Sequence, residues 1–300
     1  MFAKSIHGVL LTMLTVVWLG QSSPLFAQQL QSKVMRVIYP ADEDKDEERY
    51  ADIKEILKTA LDKTVDQFGP YELVPSKVFM NGKRARASLG TGELTVIWTP
   101  TTVEKEKLML PIRVPLRKGL LGYRVALIQE EKQETLQRVQ GLADLRKMVV
   151  GQGVGWDDGR LYQANGIAVA EARYSNLFRM LSYGRFDFLP LGINEAAKSL
   201  ARAPQEGSKL VIEKSLLIHY PWPDYLFVSK TQPRIHQRLE TGIRKMLKDG
   251  SFDAIFWKYN ARAIEQLDLK HRRVIEMKNH LLPKETPLDD ASLWYQPNAH

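Results

Sequence analysis

The stretch Gly151-Gln152-Gly153-Val154-Gly155-Trp156-Asp157 carries the residue types most able to do chemistry in this chain of 300 residues. The apolar pair Val149-Val150 predicts a strand running into it, and the residues beyond it predict a helix to about Asn165. Glycines at a strand-to-helix turn let backbone N–H groups approach an anion at the positive end of the helix dipole. The spacing is not that of a dinucleotide fingerprint, and the Lys-Ser/Thr of a phosphate loop is missing. Two readings stand: a small-ligand cradle built from Gln152, Gly153, Gly155, Trp156 and Asp157, or a tight turn that holds no ligand. Trp156 is a ligand platform in the first and a core residue in the second.

Other chemistries lack their residues. Cysteine is absent, which removes disulfides, thiolate metal sites and cysteine nucleophiles. The histidines are His7, His219, His236, His271, His280 and His300; none sits in a zinc-protease motif, and no nucleophile elbow is present. Asp157 and Asp158 are adjacent and point apart, which does not suit a two-carboxylate mechanism. No catalytic residue, metal site or cofactor is assigned, and the expectation is not an enzyme. The formal charge is +8, yet no nucleic-acid motif accompanies it, so nucleic acid is not an expected partner.

The N-terminus predicts export. Lys4 gives a positive start, Val9 to Leu19 is almost wholly apolar, and Ser22-Ser23-Pro24 precede Leu25-Phe26-Ala27. This is the three-part pattern of a secretory signal over residues 1–27, with the mature chain starting near Gln28 in the periplasm. The apolar run is too short for a stable membrane anchor.

Strands then alternate with helices. Val34 to Tyr39 predicts a strand, followed by an acidic run (Asp42 to Glu48) entering a helix through Phe68. Further strands are expected at Tyr71–Val74, Leu94–Trp98, Leu108–Ile112, Tyr123–Gln129, Ala168–Ala170, Phe186–Leu189, Leu210–Ile218 and Tyr225–Ser229. Helices are expected at Tyr174–Tyr183, from an Asn194 cap to Ala201, at Arg234–Lys248 and at Phe252–Tyr259. This alternation argues for an α/β architecture. Arg113 to Gly119 and Pro221-Trp222-Pro223 read as two crossings between lobes. One lobe is expected over 33–116 plus 224–275, the other over 117–223, with an extended C-terminal tail over 276–300.

Four stretches, in order, resemble the type II periplasmic solute-binding proteins of solute-binding protein family 3. They are Trp98 to Leu108, Leu145 to Gly155, Leu181-Ser-Tyr-Gly-Arg-Phe-Asp187, and Tyr225 to Tyr259. The resemblance implies a two-lobed trap closing on a small solute for an ABC-type transporter, with a membrane permease as partner. An extracytoplasmic sensor or interaction module with the same fold and no transport role is the alternative. The family's carboxylate-binding Arg matches Lys105, a point charge without the bidentate fork. Its ammonium-holding Asp matches Gly192. The resemblance therefore implies a small polar or anionic solute held by Tyr39, Trp98, Thr99, Lys105 and Arg113 from the first lobe and crossing, and by the glycine turn from the second. For Arg113 a solvated crossing charge is an equal reading.

Overall fold

The computed structural model describes residues 34–41, 50–201, 203 and 206–297. The signal-type segment and the acidic run at 42–48 lie outside the described residues. No described helix is long and apolar enough to cross a membrane.

The first lobe rests on a short parallel pair and a three-stranded antiparallel sheet. β1 (Met35–Ala41) pairs with β2 (Tyr71–Phe79) in the register Met35–Tyr71 to Tyr39–Pro75. β11 (Asp224–Val228) lies between β3 (Val96–Pro100) and β4 (Leu110–Ile112). Helix α1 (Ala51–Asp62) buries Ile53, Ile56, Leu57, Ala60 and Leu61; that spacing puts them on one face. They join Val96, Leu226, Leu239 and Ile243 in one core, each such side chain contributing about 1.5–3 kcal/mol on burial. Helix α2 (Gly82–Thr91) starts where Asn81 accepts the Arg84 N–H, and α3 (Val103–Leu108) where Thr102 accepts that of Lys105.

The second lobe is built on β5 (Tyr123–Gln129), buried along its whole length. It pairs antiparallel with β8 (Leu189–Gly192), β9 (Leu210–Ile212) and β10 (Leu216–His219). A separate parallel pair, β6 (Val149–Gly153) with β7 (Ala168–Ala172), carries α4 (Asp157–Ala164). Helices α5 (Tyr174–Ser182) and α6 (Ile193–Ala201) cover the sheet, where Leu177, Phe178, Leu181 and Ile193 meet Val125 and Leu127.

The two crossings run beside each other. The Leu116 N–H donates to the Asp224 carbonyl at 2.9 Å, and the Tyr220 N–H to the Gly122 carbonyl at 3.1 Å. Gly122 is required by space, since a Cβ there would lie 2.1 Å from the Tyr220 carbonyl oxygen.

Several expectations are corrected. Within the stretch 224–275, expected in the first lobe, the elements contact both cores. α7 (Pro233–Asp249) packs on α1, with Arg238 Nη2 donating to the Leu61 carbonyl at 3.2 Å. α8 (Ser251–Gln266), however, gives Phe252 and Ile255 to the first core and Phe256, Ala263 and Ile264 to the second. β12 (Arg273–Glu276) extends the second sheet by pairing parallel with β10. The strand expected over Leu210–Ile218 is two strands, because the buried Glu213 carboxylate accepts the N–H groups of Ser215 and Leu216. Asn194 does not cap α6: it lies inside the helix, and Glu195 accepts the Gly192 N–H at 3.0 Å.

Candidate functional site

The candidate site residues come from the ends of strands and the starts of helices. Tyr39 at the end of β1 and Trp98 in β3 have ring centroids 6.2 Å apart, and Tyr50 stands 5.4 Å from Trp98 on its other contact. Thr99 follows Trp98 in β3, opposite Tyr225 of β11. These side chains form a half-buried aromatic wall on the first lobe.

Lys105 joins the lobes. α3 carries its ammonium to the Pro100 carbonyl at 2.8 Å and to Asp157 Oδ2, at the start of α4 in the second lobe, at 3.1 Å. Its side chain is only 12% exposed. Burial pulls the ammonium below its ordinary pKa, and the Asp157 carboxylate opposes that pull. The group is thus already supplied with two oxygen partners.

The glycine turn closes on itself. The Val154 N–H donates to the Ala172 carbonyl at 2.9 Å, and the Trp156 N–H to that of Gly153 at 3.0 Å. Trp156 folds over Gly153, where a Cβ would meet its ring at 2.3 Å, and its ring lies 6.0 Å from that of Tyr174. The indole also packs against the second core. Gly155 is exposed at φ +79°, the left-handed backbone that glycine adopts without strain. Gln152 is 1% exposed, with its buried Oε1 lacking a hydrogen-bond donor. Arg113 is exposed and bonds Glu106, which also accepts the Thr101 hydroxyl at 2.7 Å. Thus Lys105 and Asp157 meet, whereas Arg113 is engaged within the first lobe.

A buried charge cluster adjoins the pair, and sequence reasoning passed over it. Arg117 on the first crossing grips Asp52 of α1 through Nε at 2.5 Å and Nη2 at 2.8 Å. Its Nη1 lies 3.7 Å from Asp224, the first residue of β11. Burial pushes the Asp224 carboxyl up to about 6, against the opposing charge of Arg117 and weaker contributions from Lys105 and Arg124. Arg124 in β5 donates to Tyr220 Oη at 3.0 Å and to Asp158 Oδ1 at 3.0 Å, with Glu195 3.9 Å away. The Tyr220 hydroxyl donates to the same Asp158 oxygen at 2.6 Å. One signal was available for this group: Arg124 is a lone charge inside an apolar strand. A surface depression lined by Lys63, Lys245, Lys248 and Asp249 contains none of these residues.

No protein-family model matches this chain, and no curated protein matches it. Solved structures do match in shape. An ancestral arginine-binding protein bound to arginine aligns with a TM-score of 0.50 at 19% identity, over 75% of this chain and 97% of that one. A mutant of the arginine-binding protein from T. maritima gives 0.50 at 18%, over 80% and 100%. An amino acid ABC transporter substrate-binding protein from Streptococcus pneumoniae, bound to L-arginine, gives 0.50 at 15%, over 80% and 98%. The chain has the two-lobed α/β fold of these amino-acid-binding proteins, the fold that the resemblance of its motifs to solute-binding protein family 3 implies.

Proposed function

We infer that this chain is an exported solute-binding protein that traps a small polar or anionic solute between its two lobes, for an ABC-type transporter. The observation that carries the reading is the meeting of Lys105 and Asp157 across the cleft, 3.1 Å apart. Groups from both lobes converge there, and Lys105 bonds the Pro100 carbonyl at the end of the strand that carries Trp98. A solute with an anionic group takes Lys105 from Asp157, and Trp98 offers its ring to the solute's apolar part. The signal pattern ending at Ala27 supports export. A free α-amino acid held at both ends is disfavoured, because Lys105 replaces a forked Arg and Gly192 carries no carboxylate.

The test is calorimetry on the purified mature protein against amino acids, organic acids and short peptides. Wild type should bind an anionic solute. Lys105→Ala should lose one charge-assisted contact, about 1.5–3 kcal/mol, or roughly tenfold to hundredfold in affinity. A common α-amino acid bound tightly and equally by wild type, Lys105→Ala and Trp156→Ala would sink this site assignment. The second reading, a sensor or interaction module without transport, needs no exchange of Lys105 from Asp157 to a solute. Absence of binding across the whole panel would support it.

A further inference from the structure

The segment after β12 follows the two crossings and touches both lobes in turn. It starts on the second lobe. The Met277 N–H donates to the His219 carbonyl at 2.8 Å. Asn165 and Lys278 exchange two hydrogen bonds: Asn165 Nδ2 donates to the Lys278 carbonyl at 2.8 Å, and the Lys278 N–H to Asn165 Oδ1 at 3.1 Å. Asn279 Nδ2 then donates to the Pro221 carbonyl on the second crossing at 2.8 Å. Two residues later the chain is on the first lobe, where the Leu281 carbonyl accepts the Val103 N–H at 3.1 Å. Val103 begins α3, the helix that carries Lys105.

The chain then turns back. Trp294 Nε1 donates to the Pro287 carbonyl at 2.7 Å. Its ring lies against Gly119 of the first crossing, where a Cβ would meet it at 2.3 Å. The Tyr295 N–H donates to the Lys118 carbonyl at 2.7 Å, and the Tyr295 carbonyl accepts the Tyr123 hydroxyl at 3.1 Å. The buried Tyr295 ring packs on Phe256 and Trp257 of α8 in the second core.

We propose that residues 277–297 are a strap across the hinge that holds the two lobes closed without a solute. Lobes of this kind open by backbone rotation in the crossing segments. Here each crossing carries a strap contact, Pro221 on one and Lys118 with Gly119 on the other. The strap passes from the second lobe to the first and returns, so lobe opening works against the Leu281 anchor on one side and the Asn165 and Tyr123 anchors on the other. Because the first-lobe anchor is the start of α3, the strap also fixes the helix that aims Lys105 at Asp157.

The chain has no cysteine, so one spin-label pair reports lobe spacing cleanly. Lys83→Cys on α2 and Gln163→Cys on α4 place exposed labels on opposite lobes. Pulsed electron–electron resonance without solute should give one narrow distance in the full-length protein. Trp294→Ala combined with Tyr295→Ala should add a longer-distance population, and Asn279→Ala should do so alone if the pair disrupts folding. Circular dichroism confirms that each variant is folded. An open population in the unmodified strap, or a folded strap variant with the unchanged short distance, overturns the proposal. The measurement uses no solute, so its failure leaves the binding reading standing.

Discussion

Lys105 Nζ lies 3.1 Å from Asp157 Oδ2, and the two residues belong to different lobes. An ion pair that bridges lobes couples local chemistry to the relative position of two bodies. Its two side chains differ in environment, 12% exposed for Lys105 and 34% for Asp157. The pair is therefore screened less than a surface bridge and desolvated less than a core one.

Removing either partner should lower thermal stability modestly. Lys105→Ala and Asp157→Ala are each expected to cost about 1 kcal/mol, and the double variant little more than either. A double-mutant cycle by urea unfolding measures the coupling. Additive losses would show that the two side chains do not act as a pair.

Arg124 should be far less tolerant. Its side chain is 8% exposed and holds Tyr220 and Asp158 together. Arg124→Ala leaves Asp158 without its cation and is expected to cost about 3–5 kcal/mol. Denaturant unfolding reads this directly, and a loss no larger than that of Lys105→Ala would contradict the buried network.

Asp224 predicts a pH dependence. Its carboxyl sits near 6 against an ordinary 3.8, because burial disfavours the charge. The folded state therefore holds this proton more tightly than the unfolded chain. The group's stabilisation is complete below the ordinary value and is lost as pH rises through the folded one, a swing of roughly 3 kcal/mol. Asp224→Asn removes the titration, so the melting temperature of the variant relative to wild type should rise from about pH 4 to about pH 7. An unchanged difference across that window would refute the assignment.

Gly122 and Gly90 offer a contrast in space alone. A methyl group at Gly122 meets the Tyr220 carbonyl at 2.1 Å, whereas at Gly90 it meets nothing within 4 Å. Gly122→Ala should cost at least the 1–3 kcal/mol typical of overpacking. Gly90→Ala, inside α2, should stabilise by up to about 1 kcal/mol. Parallel unfolding curves of the two variants settle whether the crossings are as tightly apposed as described.

The local patterns were readable and the long-range partners were not. The seven residues from Tyr123 to Gln129 declare a strand, because a run buried on both faces needs no alternation. Helix α1 is equally plain from the spacing of Ile53, Ile56, Leu57 and Leu61. Lys105 and Asp157 were both singled out, but nothing local states that residues 52 apart along the chain neutralise one another. The glycine turn shows the same limit. Gly153 reads in the sequence either as part of a ligand cradle or as a tight turn, and nothing local states that the indole of Trp156, three residues on, stands where a Cβ at Gly153 would. Glu213 misled for a related reason: a buried carboxylate that accepts two backbone N–H groups breaks a strand that its apolar neighbours would continue.

The contact of Arg238 with Leu61 joins positions 177 apart, and it orders events in time. Strands β5, β8, β9 and β10 lie between residues 123 and 219, so most of the second sheet can pair once that stretch is available. The first lobe cannot complete its core until α7 arrives, because Leu239 and Ile243 are part of it. Chain closure over so long a loop is slow compared with the pairing of neighbours. During synthesis, α1 and β1 therefore wait with an apolar face uncovered. That interval, rather than any weakness of the finished molecule, is when the chain is most exposed to aggregation and most dependent on a holding partner.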